Sequence, residues 1–160
     1  MATPDTPAET ESPPFFDIPP NRLIGRGHAA GDFLEAYEWE VVEESPGRLV
    51  LDVHLPVHAC NPLGQLFGGF TPTYIDLVSL LATRAGPDRL NPDVDRHWLS
   101  TLNMRIDYYE PVVGPRFQVE ATVEHRRGRT YLVTTKMRQE GTLAVFALTT
   151  LRSQDLVIPA

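Results

Sequence analysis

The chain has 160 residues, a mass of 17.9 kDa, a formal net charge of −7 at pH 7 and a pI near 5.1. That length suits one domain that buries a full core without disulfide or metal staples. The acidic surface repels phosphate backbones and argues against nucleic acid as a partner, and the single cysteine, Cys60, excludes an internal disulfide framework and fits a reducing compartment.

Residues 1–30 read as a mostly disordered tail, because Pro, Thr, Ser and acidic side chains cannot bury enough apolar surface to offset ordering entropy. Residues 31–160 read as a single domain. No basic run followed by an apolar stretch opens the chain, so neither a signal peptide nor a membrane anchor is expected, and a cytoplasmic location is. A helical turn is expected at Asp32 to Ala36. Tyr37 to Glu44 and Arg48 to Leu55 then alternate as half-buried strands, with Leu49, Leu51, Val53 and Leu55 on one face and Asp52 and His54 on the other. Ser45-Pro46-Gly47 between them is a turn signal, which makes the pair a hairpin.

The rest of the chain is organised around His58 to Gly86, a polar, glycine-rich loop that runs into a helix apolar nearly all round. From Phe70 to Thr83 no wide polar stripe remains, so the helix is predicted to be buried. Pro72 fits only its first turn, with Thr71 placed to act as N-cap. Asp76 stands out among Ile75, Leu77 and Val78. An ionised carboxylate there needs partners: a backbone group or arginine in a purely structural anchor, or a substrate. After the helix, Gly86-Pro87 ends regular structure, and Asp88 to Arg96 forms a polar loop longer than a tight connection requires, a candidate rim or lid. Trp98 to Tyr109, Arg116 to His125, Thr130 to Gln139 and Leu143 to Arg152 read as four strands joined by connections short enough for antiparallel neighbours. Two strands, a buried helix and four strands describe an α+β domain, one curved antiparallel sheet wrapped around a central helix. A dimer that pairs sheets is one way to manage the sheet edges.

Asn61, Gly64, Gly68-Gly69 and Asp76, followed by a strand ending in Tyr108-Tyr109-Glu110-Pro111 and then Gly114, form a pattern that resembles the hotdog-fold acyl-CoA thioesterases. Within them it is most similar to the phenylacetate-pathway, PaaI-like branch, over about Ala36 to Arg152. The resemblance implies hydrolysis of an acyl-CoA to free acid and CoA. It implies that the Asn61 amide faces the thioester carbonyl or the attacking water, that Gly68 and Gly69 open the helix, that Asp76 is the catalytic carboxylate, and that Thr101 holds the water. It further implies a homodimer or homotetramer with the site between subunits, where Asn61 and Gly68 of one chain meet Asp76 and Thr101 of the other. The sequence departs from the pattern at Phe67, where family members commonly carry histidine, so a hydrogen-bonding group before the glycine pair is replaced by an apolar one placed to touch substrate.

Elementary chemistry supports these roles. A thioester carbonyl that becomes an oxyanion needs preplaced donors, and backbone N–H groups at a glycine-rich helix start provide them. A carboxylate where water is scarce can act as general base toward water, or attack the carbonyl itself; the sequence leaves both open. His58 and Cys60 lack a third orienting group for thiol chemistry. His28, His54, His97 and His125 show no metal-ligand spacing, so neither metal nor any cofactor other than the CoA of the substrate is expected. Arg126, Arg127 and Arg129 at a hairpin tip are either a solvated turn or the place where CoA phosphates dock on an acidic protein. Of Tyr108 and Tyr109, which alternate faces, one is expected in the core. An alternative from another class is a non-catalytic hotdog domain that binds acyl-CoA or an acyl carrier protein. A hydratase or dehydratase of the same fold would need a histidine on a loop pattern this chain lacks.

Overall fold

The computed structural model describes residues 29–87 and 98–154. The expected rim at residues 88–96, His28, His97 and nearly all of the expected tail lie outside the described residues. Helix α1 spans Ala29–Phe33, earlier than the turn expected at Asp32 to Ala36. Glu35 then adopts a left-handed conformation, φ 53°, and a 3₁₀ turn follows at Ala36–Glu38. That turn occupies Tyr37 and Glu38, so strand β1 covers Glu40–Ser45 and starts later than the alternation suggested. The turn has a packing purpose: it drops Trp39 into the core, where its ring stacks on Tyr74 at 5.6 Å.

Strand β2, Arg48–His54, returns from the Pro46-Gly47 turn with Leu49, Leu51 and Val53 fully buried and Asp52 and His54 turned outward. Gly47, at φ 74°, takes the left-handed position of the turn. After a loop, helix α2 (Thr71–Ala82) crosses the sheet. Strands β3 (Trp98–Tyr108), β4 (Arg116–Arg127), β5 (Thr130–Gln139) and β6 (Thr142–Gln154) complete it. Every neighbour is antiparallel, in the order β1-β2-β4-β5-β6-β3. The helix thus carries the chain from β2 to the far edge, and the β4–β5–β6 meander fills the space between. Two-residue turns close that meander, with Gly128 at φ 57° in one and Glu140 and Gly141 at φ 49° and 82° in the other.

One face of the sheet grips α2. Phe117, Val119 and Ala121 of β4, Val133 and Met137 of β5, and Val145, Ala147 and Leu151 of β6 meet Tyr74, Ile75, Leu77, Val78 and Ala82 of the helix in a single core. Burial pushes the Tyr74 phenol pKa well above its ordinary value. One polar cluster interrupts this apolar layer: the Ser79 hydroxyl lies 3.0 Å from Thr135 Oγ1 and 3.5 Å from Thr149 Oγ1, all three side chains buried. The hydroxyls satisfy one another, which lets polar atoms sit in the core and ties α2 to β5 and β6.

Bulges bend the sheet around the helix, with register shifts in β1 at Val41/Glu43, in β3 at Thr101/Asn103 and in β4 at Val123/His125. They also decide which side chains face α2. In β3 the helix-facing positions run Tyr108, Ile106, Met104 opposite Val145, Ala147 and Thr149, and plain alternation would continue with Leu102. The extra residue at the bulge instead brings Thr101 opposite buried Leu151, on the helix side.

Candidate active site

The loop before α2 is held by its own asparagine. Asn61 Oδ1 accepts from the backbone N–H groups of Leu63 at 2.9 Å and Gln65 at 3.1 Å. Its main chain closes the same turn, with Asn61 N donating to Gln65 O at 2.7 Å and Gly64 N donating to Asn61 O at 2.9 Å. Gly64, φ 73°, supplies the left-handed residue this turn requires. The Asn61 side-chain Nδ2 donates to Gln65 Oε1 at 3.2 Å. Phe67 N then donates to Ala59 O and Phe70 N to Phe67 O, which leaves the exposed Gly68 and Gly69 N–H groups without a partner among the described residues. They sit where the positive end of the helix dipole emerges. Phe70 occupies the N-cap position with no side-chain cap, and Thr71, expected there, is the first helical residue. The physical reason is burial: Thr71 points into the domain and is unavailable to the helix end.

Asp76 lies half-buried on α2, and Thr101 Oγ1 donates to its Oδ1. Among the described residues no arginine, lysine or histidine forms an ion pair with it. The purely structural arginine anchor is therefore absent from these residues, and the carboxylate leans on a hydroxyl of the edge strand. The structure brings Asp76 and Thr101 together within one chain. Gly68 lies elsewhere: the helix rise of ~1.5 Å per residue puts it roughly 10 Å or more from Asp76. The Gly68 carbonyl accepts from the Tyr108 hydroxyl at 3.1 Å, at the other end of β3.

Neither tyrosine enters the core as expected; Tyr108 is 53% and Tyr109 57% exposed. They end an edge strand, and more than half of each residue stands open even with the Tyr108 hydroxyl bonded to Gly68. Phe67 is 51% exposed and packs edge-on against Phe70 at 5.5 Å. The three arginines of the β4–β5 hairpin do not converge. Arg126 lies over the Tyr131 ring at 4.9 Å and shares a cross-strand row with Tyr131, Leu151 and Thr101 on the helix side. At ~4.8 Å per strand that row spans about 14 Å. Arg127 pairs with Thr130 and, beyond it, Arg152 on the outer face, while Arg129 sits in the turn. Cys60 Sγ donates to the Pro56 carbonyl, and His58 is engaged with the Phe33 carbonyl at 2.5 Å, so the two form no thiol–imidazole pair. Gln65 was not foreseen; its signal is the Asn61-x-x-x-Gln65 spacing, two carboxamides within one turn.

A six-stranded antiparallel sheet wrapped around one buried helix, entered through a glycine-rich turn and carrying a carboxylate on its open flank, defines a hotdog-type thioester hydrolase. The profile of the Thioesterase superfamily matches residues 63–145, just over half of the chain, and the chain belongs to that family. Solved structures share the fold. A phenylacetic acid degradation-related protein of Ralstonia eutropha JMP134 is 22% identical, with a TM-score of 0.65 over 78% of this chain and 89% of its own. The phenylacetic acid degradation protein PaaI of Thermus thermophilus, in a mutant form, is 22% identical, with a TM-score of 0.61 over 77% of this chain and 99% of its own. A hypothetical thioesterase protein of Streptococcus pneumoniae TIGR4, solved with coenzyme A, is 19% identical, with a TM-score of 0.61 over 74% of this chain and 90% of its own. No curated protein matches the chain in sequence. No described helix is long and apolar enough to cross a membrane.

Proposed function

We propose that the protein hydrolyses the thioester of an acyl-CoA to the free acid and CoA in the cytoplasm, working as a homodimer or homotetramer with each site shared between two chains. The observation that carries this reading is the Thr101–Asp76 hydrogen bond, which fixes a carboxylate without a described counter-ion on the flank of a helix beside an edge strand. Asp76 takes a proton from water as the water oxygen attacks the carbonyl carbon, or forms the new C–O bond itself in an acyl-enzyme anhydride that water then opens. Thr101 holds Asp76 or the water in line. The carbonyl electrons move to an oxygen met by the Gly68 and Gly69 N–H groups and the Asn61 amide, and collapse expels the CoA thiolate, which regains a proton.

The separation of Gly68 from Asp76 within one chain supports the shared site, since one carbonyl cannot touch both. The open edge of β3 offers the surface on which a second copy would bring them together. Phe67 borders the acyl group, and Arg126, Arg127 and Arg129 supply the cationic ground for CoA phosphates. The coenzyme A complex of the Streptococcus pneumoniae relative supports that thiol carrier. The test measures CoA release from a panel of acyl-CoAs by the wild type and Asp76→Asn. Turnover in the wild type and a loss of about two to three orders of magnitude in the variant are expected, the scale of removing a principal catalytic group. Equal rates refute the mechanism. Phe67, which cannot hydrogen-bond, favours a second reading, a binding domain without turnover; saturable acyl-CoA binding with no CoA release would select it.

A further inference from the structure

We infer that Gln65 is a positioning residue that commits one amide hydrogen of Asn61 and thereby directs the other toward the thioester; the inference rests on the function proposed above. Donor and acceptor chemistry fixes both side chains. Backbone N–H groups can only donate, so the Asn61 atom met by Leu63 N at 2.9 Å and Gln65 N at 3.1 Å is the carbonyl oxygen Oδ1. The atom turned toward the Gln65 side chain is then the amide nitrogen, and because it too can only donate, Gln65 must present Oε1, at 3.2 Å. The network leaves no freedom to exchange oxygen and nitrogen on either side chain.

Both lone-pair directions of Asn61 Oδ1 and one N–H of Nδ2 are engaged, so a single Asn61 hydrogen remains without a partner among the described residues. A donor held in a fixed plane by three bonds is the preorganised kind that stabilises a developing oxyanion, and the two backbone N–H groups on Oδ1 draw electron density from the amide nitrogen and polarise it further. Moreover, the turn does not need the Gln65 side chain to fold. The Gln65 backbone makes its own bonds, donating to Asn61 Oδ1 and accepting from Asn61 N at 2.7 Å, and an isolated bridge joins it to Val113. Removing the Gln65 carbonyl therefore loosens the direction of one amide and leaves the loop in place.

The experiment compares wild type, Gln65→Met, Asn61→Asp and the double variant in CoA release, with Asp76→Asn as the activity control, and records the side-chain amide NMR signals of Asn61 in parallel. Methionine keeps length and removes the acceptor; aspartate keeps both backbone bonds to Oδ1 and removes the donor. Gln65→Met is expected to lower kcat about tenfold, the worth of one hydrogen bond expressed at the transition state, with KM within about twofold. In the Asn61→Asp background the same substitution should cost nothing further. The two Asn61 amide protons should be well separated in the wild type and draw together in Gln65→Met. An unchanged kcat in Gln65→Met, or an equal loss in both backgrounds, overturns the inference while a dead Asp76→Asn leaves the function standing. Should Asp76→Asn retain full turnover, the functional reading falls, and the amide signals alone judge Gln65: convergence on removal of the acceptor supports its role in orienting Asn61, and no change overturns it.

Discussion

Thr101→Val isolates the bond on which the proposed chemistry depends. Valine keeps the branched β-carbon and the strand preference of threonine and removes only the hydroxyl that donates to Asp76 Oδ1. A hydrogen bond to a charged group contributes about 1.5–3 kcal/mol. Thr101 is exposed, so water can replace part of that, and the lower end applies. About 1.5 kcal/mol expressed in the transition state corresponds to roughly a tenfold fall in kcat. Folding stability should hardly change, because the valine methyl faces the same Leu151 row and the lost hydroxyl uncovers no buried group. The assay is CoA release under saturating acyl-CoA, paired with thermal melts, and Thr101→Ser, which restores the hydroxyl, should recover most of the rate. Wild-type kcat in Thr101→Val, with Asp76→Asn inactive, would refute the reasoning, for the carboxylate would then work without its edge-strand partner.

Ser79→Ala should destabilise the fold by about 1–3 kcal/mol, since Thr135 Oγ1 and Thr149 Oγ1 lose their buried partner; at roughly 2–4 °C per kcal/mol for a domain of this size, a melt reads it directly. A Cβ on Gly69 would fall 2.6 Å from Phe67 Cε1, whereas one on Gly68 meets open space. Gly69→Ala should therefore displace the Phe67 ring and lower kcat/KM, Phe67→Ala alone should lower it to a similar extent with no further loss in the double variant, and the melting temperature of Gly68→Ala should match that of the wild type.

Most of the framework was legible because its determinants are local. Alternation located β2, β5 and the bulk of β4 and β6; the unbroken apolar girth of residues 70–83 located α2; and a carboxylate in that girth singled out Asp76. What escaped depends on tertiary context. The left-handed Glu35 and the burial of Trp39 shorten β1. Tyr108 and Tyr109 have the composition of core residues, and only their place at the end of an edge strand keeps them exposed. The parity of the β4–β5 tip is unreadable as well: neighbours on a strand always face opposite sides, but the shift between Val123 and His125 swaps the faces of every residue after it and so puts Arg126, in place of Arg127, on the helix side. Two carboxamides closing one turn carry no periodicity, so the Asn61-x-x-x-Gln65 spacing gains its meaning only once the loop has a shape.

The bulge in β3 has a mechanical consequence. Sliding the first few residues of that strand by one position would seat Leu102 opposite Leu151 and turn Thr101 to the outside, away from Asp76. One extra residue in the strand thus decides which side chain meets the carboxylate of the helix. Deleting Asn103 would heal the bulge, pair Leu102 with Thr150 and keep Thr101 opposite Leu151, so the hydroxyl should keep its aim through the shortening.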